Sequence, residues 1–153
     1  MAPAVIRSAA AADVPVLFEM LRATAREQGN EDELCVDEAA LAEDGFGPTP
    51  RFLALIAECD GQPAGIALYF FNYSTWTSRN GLYLEDLYVA PAFRRRGVAR
   101  DLMKRLKAIA LARGCGRLQW LVLRENVGAI RFYESQSARA LPEWLVMLTR
   151  LSD

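Results

Sequence analysis

Residues 82 to 113 constrain this chain more than any other part of it. Leu82-Tyr83-Leu84-Glu85-Asp86-Leu87-Tyr88-Val89 is rich in strand formers. It passes through Ala90-Pro91-Ala92-Phe93 and the arginines Arg94, Arg95 and Arg96 into a helix pattern from Gly97 to Arg113. There Val98, Leu102, Leu106, Ile109 and Ala110 form one apolar stripe, Arg100, Lys104 and Lys107 lie off it, and Gly114 supplies the stop. A strand feeding an amphipathic helix through a tight turn calls for a sheet with that helix packed on it. Two adjacent acids in the strand add a constraint. Neighbouring strand residues face opposite sides, so at least one of Glu85 and Asp86 points toward a covered face unless a bulge intervenes.

The remaining elements follow from periodicity and turn chemistry. Val5 to Ser8 reads as a strand, and Ala9 to Arg26 as a helix with Val16, Leu17, Met20 and Leu21 on one side. Asp13 suits the N-cap of that helix, which places Pro15 in the first turn. Asp37 to Glu43 predicts a short helix ended by Gly45, Gly47 and Pro48. Phe52 to Glu58 and Pro63 to Phe71 predict strands, and Asp60-Gly61 between them suits a type I′ hairpin, which needs positive φ at both central positions. Arg117 to Leu123 predicts a strand, Ala129 to Ser135 a short helix and Trp144 to Leu151 a last strand. The order β-α-α-β-β-β-α-β-α-β describes an α/β fold of the α+β kind, a mixed sheet flanked by helices. At 153 residues, positions 1-153 make a single domain with one core.

Composition then removes function classes. With no histidine in the chain, a His-based triad, an imidazole zinc site and a His-gated pH switch are excluded. Cys35, Cys59 and Cys115 have no C-x-x-C spacing, which indicates neither a disulfide framework nor a zinc ribbon and fits a reducing cytoplasm. The start lacks a basic n-region followed by an unbroken apolar run, and no stretch approaches the ~20 apolar residues of a membrane span. The net charge of -1 conceals segregation. Glu27 to Pro50 carries eight acids and no Lys or Arg, whereas Arg94 to Lys107 carries seven bases against the single acid Asp101. This pattern suits two ligands of opposite sign, and without further evidence it equally suits two solvated faces. A nucleic-acid patch is disfavoured by the absence of a basic balance and of interleaved aromatics. The turn into the long helix has the makings of an anion cradle. Helix N-termini present unpaired N–H groups, Gly97 allows close backbone approach and the arginines add charged donors. No G-x-x-x-x-G-K-[ST] is present, and Gly114-Cys115-Gly116 lacks a dinucleotide fingerprint.

The R-x-x-G-x-A at Arg94 to Ala99 resembles the acyl-CoA-binding motif of the GNAT N-acetyltransferase superfamily. Glu43-Asp44-Gly45-Phe46-Gly47, Tyr69-Phe70-Phe71-Asn72-Tyr73, the strand Tyr83 to Val89, and Asn126 with Ile130 and Phe132-Tyr133 are similar, in the same order, to the spermidine/spermine (diamine) N-acetyltransferases. The resemblance implies a mostly antiparallel sheet splayed between its fourth and fifth strands, and acetyl-CoA as co-substrate with no metal. Amides of Arg94, Arg95, Arg96, Gly97, Val98, Ala99 and Arg100 would hold the CoA pyrophosphate. Leu87, Tyr88 and Val89 would pair with the pantetheine arm, and Asn126 would touch that arm. Tyr133 matches the tyrosine near the sulfur, usually assigned as general acid. Glu85, Asp86, Trp76, Glu27 and Gln28 fall at the amine end, with Glu85 the candidate proton acceptor. The resemblance also implies a homodimer whose subunits both shape the amine site.

The residue types suit the chemistry. An ammonium of pKa ~10 must lose a proton before its nitrogen can attack a carbonyl. An ordinary carboxylate of pKa ~4.3 accepts that proton poorly unless burial raises it or water relays the proton. A phenol of pKa ~10 protonating a thiolate of pKa ~8.5 goes uphill by about 2 kcal/mol, so hydrogen bonding to the developing thiolate suits Tyr133 better. Several positions depart from the family. Glu27, Gln28 and Gly29 replace the acids and tyrosines of its polyamine users, Ser74 stands where an aspartate precedes the pocket tryptophan, and Ser137 stands where glycine is usual. Trp76 is equally readable as a plain loop aromatic. The expected activity is acetyl transfer to a small primary amine, a diamine, polyamine or lysine-like amine, by direct attack in a ternary complex. A protein or peptide N-acetyltransferase and a non-catalytic acyl-CoA-binding module are the alternatives.

Overall fold

The computed structural model describes residues 2–151, which divide into two compact units at Leu121 and Val122. The first holds a five-stranded sheet of β1 (Val5–Ser8), β2 (Leu53–Cys59), β3 (Gln62–Ser74), β4 (Arg79–Val89) and β5 (Arg117–Gln119), in that spatial order. β1 through β4 run antiparallel, and β5 joins β4 in parallel. Helices α1 (Val14–Glu27), α2 (Glu38–Phe46) and α3 (Val98–Ala112) complete the unit.

Local chemistry explains the junctions. Asp60 and Gly61 both take positive φ, 51° and 75°, as the type I′ reading of the β2–β3 hairpin requires. α1 begins at Val14 with Asp13 in the N-cap position, the late start that Pro15 requires, and Ala11–Asp13 before it forms a 3-10 turn. Pro15 lies in the first helical turn, where its missing N–H leaves no hydrogen bond unmade. Asp13 flanks the helix without capping it through its side chain. Its carboxylate instead accepts from Arg7 Nη1 and Nη2 at 2.7 and 2.9 Å and from the Ala10 N–H at 2.7 Å. The Arg7 hydrogen bonds hold Asp13 below the usual carboxylate range. For α2 the cap is conventional, with Asp37 Oδ1 accepting from the Ala40 N–H at 2.8 Å.

Strand alternation divides the core. Leu17, Met20 and Leu21 of α1 and Leu41 of α2 pack with Ile56, Ile66, Leu68 and Tyr88 on one face of the sheet. The alternate residues Leu55, Ala67 and Leu82 are fully buried on the other face. That face belongs to α3, whose Leu102, Met103 and Leu106 are equally buried and whose C-terminal Arg113 lies 5.1 Å over the Phe71 ring. β5 pairs with β4 only from Gly81↔Arg117 to Tyr83↔Gln119, so beyond Tyr83 the strands splay and β4 has no ladder partner on that side among the described residues. The expected strand to Leu123 therefore stops at Gln119. A strand exists where its backbone groups are paired, and apolar sequence alone does not supply the partner.

The second unit contains α4 (Val127–Ser135), whose N-cap Asn126 accepts from the Ala129 N–H at 3.1 Å. α4 ends in a turn where the Ala138 N–H donates to the Tyr133 carbonyl and Ser137 adopts φ 70°, the left-handed region where glycine is unstrained. Trp144 to Leu151 forms no strand, contrary to its pattern. Trp144, Leu145, Val146, Met147 and Leu148 are exposed and no ladder forms there among the described residues. Ser137→Gly removes the left-handed strain and is expected to stabilise the protein by about 0.5–1 kcal/mol after the added unfolded-state entropy. A lower urea midpoint for the variant would show that Ser137 is not strained.

Candidate active site

The turn after β4 is built by alternating backbone hands. Pro91–Phe93 forms one 3-10 turn, Arg95 takes φ 62°, and Gly97 takes φ 81° as the N-cap of α3. A Cβ on Gly97 would meet only the movable end of the Arg100 side chain, at 2.8 Å, so it is the left-handed backbone at φ 81° that favours glycine there. The first N–H groups of α3 have no partners within the helix. Arg94 is fixed from two sides. Its Nε donates to the Val89 carbonyl at 2.9 Å, and its Nη2 donates to both Glu27 oxygens at 2.6 and 2.8 Å. The guanidinium lies 5.5 Å over the Tyr88 ring, and the Tyr88 hydroxyl donates to Glu27 Oε1 at 3.4 Å. This cluster ties the C-terminal end of α1 to the end of β4.

Four residues before Val89, β4 carries the bulge that its two acids require. Leu87 pairs with Ala67, Asp86 with Leu68 and Leu84 with Tyr69, leaving Glu85 as the extra residue. The bulge shifts the phase of the strand, so Asp86 shares the face of Leu68 under α1 and α2, and Glu85 opens onto the same space. Both line a cleft of about 520 Å³ with Gln28 of α1, Asp44 of α2, Glu33 and a single base, Arg51. Burial, followed by the charge of Glu85, pushes the Asp86 carboxyl up to about 6. A cleft of this kind concentrates cations and offers a carboxyl that titrates close to neutral pH.

A model of the Acetyltransferase (GNAT) family matches residues 16–137. The chain belongs to that family. This acetyltransferase is 38% identical over 151 residues to a thialysine N-epsilon-acetyltransferase of Sus scrofa, covering 94% of this chain and 88% of the relative. It is 36% identical over 140 residues to the spermidine/spermine N(1)-acetyltransferase-like protein 1 of Homo sapiens, covering 87% of this chain and 20% of that protein. Among solved structures, an aminoglycoside acetyltransferase from an uncultured soil metagenomic sample superposes with a TM-score of 0.81 at 16% identity, covering 97% of each chain, which is a likeness of fold. The resemblance read from the sequence is thereby borne out, and the protein is a GNAT-family N-acetyltransferase.

The structure brings together only part of the residue set expected of this acetyltransferase. Glu85, Asp86 and Gln28 meet in the acidic cleft. Glu27 turns away to Arg94, which pairs a residue expected at the amine with one expected at the cofactor. Trp76 is 93% exposed in the turn joining β3 to β4 and does not line the cleft. Asn126 and Tyr133 lie in the second unit. Asn126 uses its side-chain oxygen as the α4 cap, and burial raises the Tyr133 phenol above its ordinary value. Sequence reasoning missed Arg51 and Glu33. Arg51 follows the expected α2 stop, where a lone base after an acidic run was the available signal.

The raised Asp86 value fixes a sign. The folded protein holds this proton more tightly than the unfolded chain, so stability falls as pH rises from the ordinary carboxylate range through about 6. Asp86→Asn is expected to exceed the wild-type Tm by about 2–4 °C above pH 7, the shift that roughly 1 kcal/mol gives in a domain of this size. The difference closes toward pH 4, where Asp86 is itself protonated. A Tm difference independent of pH would contradict the assignment.

Proposed function

We propose that this acetyltransferase moves the acetyl group of acetyl-CoA to a primary amine of a small cationic substrate, a diamine, polyamine or lysine-like amine, by direct attack in a ternary complex. The observation that carries the reading is the acidic cleft at the β4 bulge, continuous along one strand with an open edge and a glycine-hinged turn of bases. The names of the relatives, a thialysine and a spermidine/spermine acetyltransferase, support an amine acceptor. The turn fits a pyrophosphate, since it joins the first N–H groups of α3, which have no partner within the helix, to a run of arginines. The β4 edge at Leu87 and Tyr88, without a ladder partner among the described residues, fits an amide-bearing arm beside Val89, whose carbonyl Arg94 holds. Acetyl-CoA supplies an acetyl group already activated as a thioester.

Each residue then has a distinct task. Arg94 is committed to Glu27 and Val89, so it shapes the turn, while Arg95, Arg96 and Arg100 carry the charge that faces phosphate. Glu85 and Asp86 draw the ammonium into the cleft. The ammonium proton then passes to Asp86, whose value is about 6 before a cation arrives, or through it to water, before the nitrogen attacks. Tyr133, a weaker acid than a free phenol, keeps its proton at neutral pH and donates a hydrogen bond to the sulfur as the thiolate departs. No covalent enzyme intermediate is needed, and Cys115, beyond the C-terminal end of α3, lacks the helix N-terminus that would stabilise a thiolate.

Thiol release from acetyl-CoA with a panel of diamines, lysine analogues, aminoglycosides and peptides tests this reading. Release is expected with diamines or lysine analogues, and Tyr133→Phe is expected to lower kcat by about 10²-fold while moving the acetyl-CoA KM less. Release with none of the panel, despite tight acetyl-CoA binding, would indicate a non-catalytic module, and unchanged turnover in Tyr133→Phe would remove that residue from the mechanism. The exposed run of Trp144, Leu145, Val146, Met147 and Leu148 supports a homodimer in which a second copy covers it. Light scattering is expected to give twice the chain mass, and a monomer at micromolar concentration would contradict this.

A further inference from the structure

A cleft that binds only ammonium groups has no use for a guanidinium, yet Arg51 stands in this one among Glu33, Asp44, Glu85 and Asp86. Its backbone is anchored, with the Arg51 N–H donating to the Asp44 carbonyl at 2.6 Å. Its side chain is barely engaged. Nη1 reaches Asp44 Oδ1 at 3.5 Å, against the 2.6 and 2.7 Å of the Arg94–Glu27 and Arg7–Asp13 pairs, and the side chain remains 76% exposed. No other hydrogen bond of this guanidinium occurs among the described residues. Its planar fork matches a carboxylate, while its charge opposes a ligand that carries only ammonium groups. The cleft, about 520 Å³, has room for a zwitterion reaching from Arg51 toward the two acids of β4.

We propose that Arg51 determines substrate class: it receives the carboxylate of an amino acid whose side-chain amine is directed to Glu85 and Asp86 and acetylated. This rests on the acidic cleft being the amine site. The bond formed is the amide at the side-chain nitrogen and the bond broken is the thioester C–S bond, with the ammonium proton passing to Asp86 or water and the thiol leaving. Diamines lack the group that Arg51 holds, and they bring a second cation toward it.

The test compares lysine and ornithine with their carboxamides, which keep both amines and lose the carboxylate, in wild-type protein and in Arg51→Gln and Arg51→Lys. Wild type is expected to favour the amino acid over its amide by tenfold or more in kcat/KM. Arg51→Gln abolishes that preference by raising the amino-acid KM while lowering the amide KM, since the opposing charge is gone, and Arg51→Lys restores part of it. Equal or better use of the amides by wild type, or a preference that survives Arg51→Gln, overturns the assignment of Arg51 while leaving the amine site in place. Absence of thiol release with any of the four compounds and with diamines overturns the amine site itself, and this proposal with it.

Discussion

The site depends on one extra residue in one strand. Without the Glu85 bulge, alternation along β4 would carry Asp86 to the face of Leu84, into the apolar layer that Leu102, Met103 and Leu106 form with α3. An unpaired carboxylate there would be costly. With the bulge, both acids open toward α1 and α2, and Tyr88 still returns to the core beside Ile66. The same strand loses its β5 partner at Tyr83, two residues before the bulge. One strand thus offers acids from its face and unpaired backbone groups from its edge, so a cation and an amide-bearing chain can be brought together without a rearranged scaffold.

Charge is arranged around that strand by pairing as well as by position. Arg94 and Glu27 cancel each other at the boundary between the basic turn and the acidic cleft, 67 positions apart in sequence. The bond from Arg94 to the Val89 carbonyl, its position over the Tyr88 ring and the Tyr88 hydroxyl donating to Glu27 make the boundary a structural joint. What remains unpaired on either side is therefore more selective than the raw charge runs. Arg95 and Arg96 remain on the turn, where Arg100 lies 3.6 Å from Asp101, whereas the cleft keeps a mostly negative lining interrupted by Arg51. The half-buried Asp86 then responds to what enters. An ammonium lowers its value and solvent exclusion raises it.

Much of the fold was legible because it rests on short-range rules. Positive φ at Asp60 and Gly61, the proline in the first turn of α1 and the apolar stripe of α3 all follow from neighbours in sequence. The two acids also announced a choice between a buried carboxylate and a bulge, and the register resolves it. Pairings were not legible. Glu27 with Arg94 and Arg51 in the cleft depend on where distant elements meet, which charge patterns do not encode. Trp144 to Leu151 shows the reverse error, since its strand-forming residues have no ladder partner among the described residues. Ser137 stands where the resembled family usually has glycine, and its φ of 70° shows why glycine suits that position.

The central claim is that an ammonium sits against the β4 carboxylates, and carbon-13 NMR titration of the Asp86 side-chain carboxyl tests it most directly. Without amine, the account predicts a midpoint near the value of about 6 that burial and Glu85 impose. With a saturating amine that the enzyme acetylates, the midpoint should fall toward the ordinary carboxylate range, because the cation favours the charged form. A midpoint that does not move when such an amine is bound would place the substrate elsewhere and contradict the account.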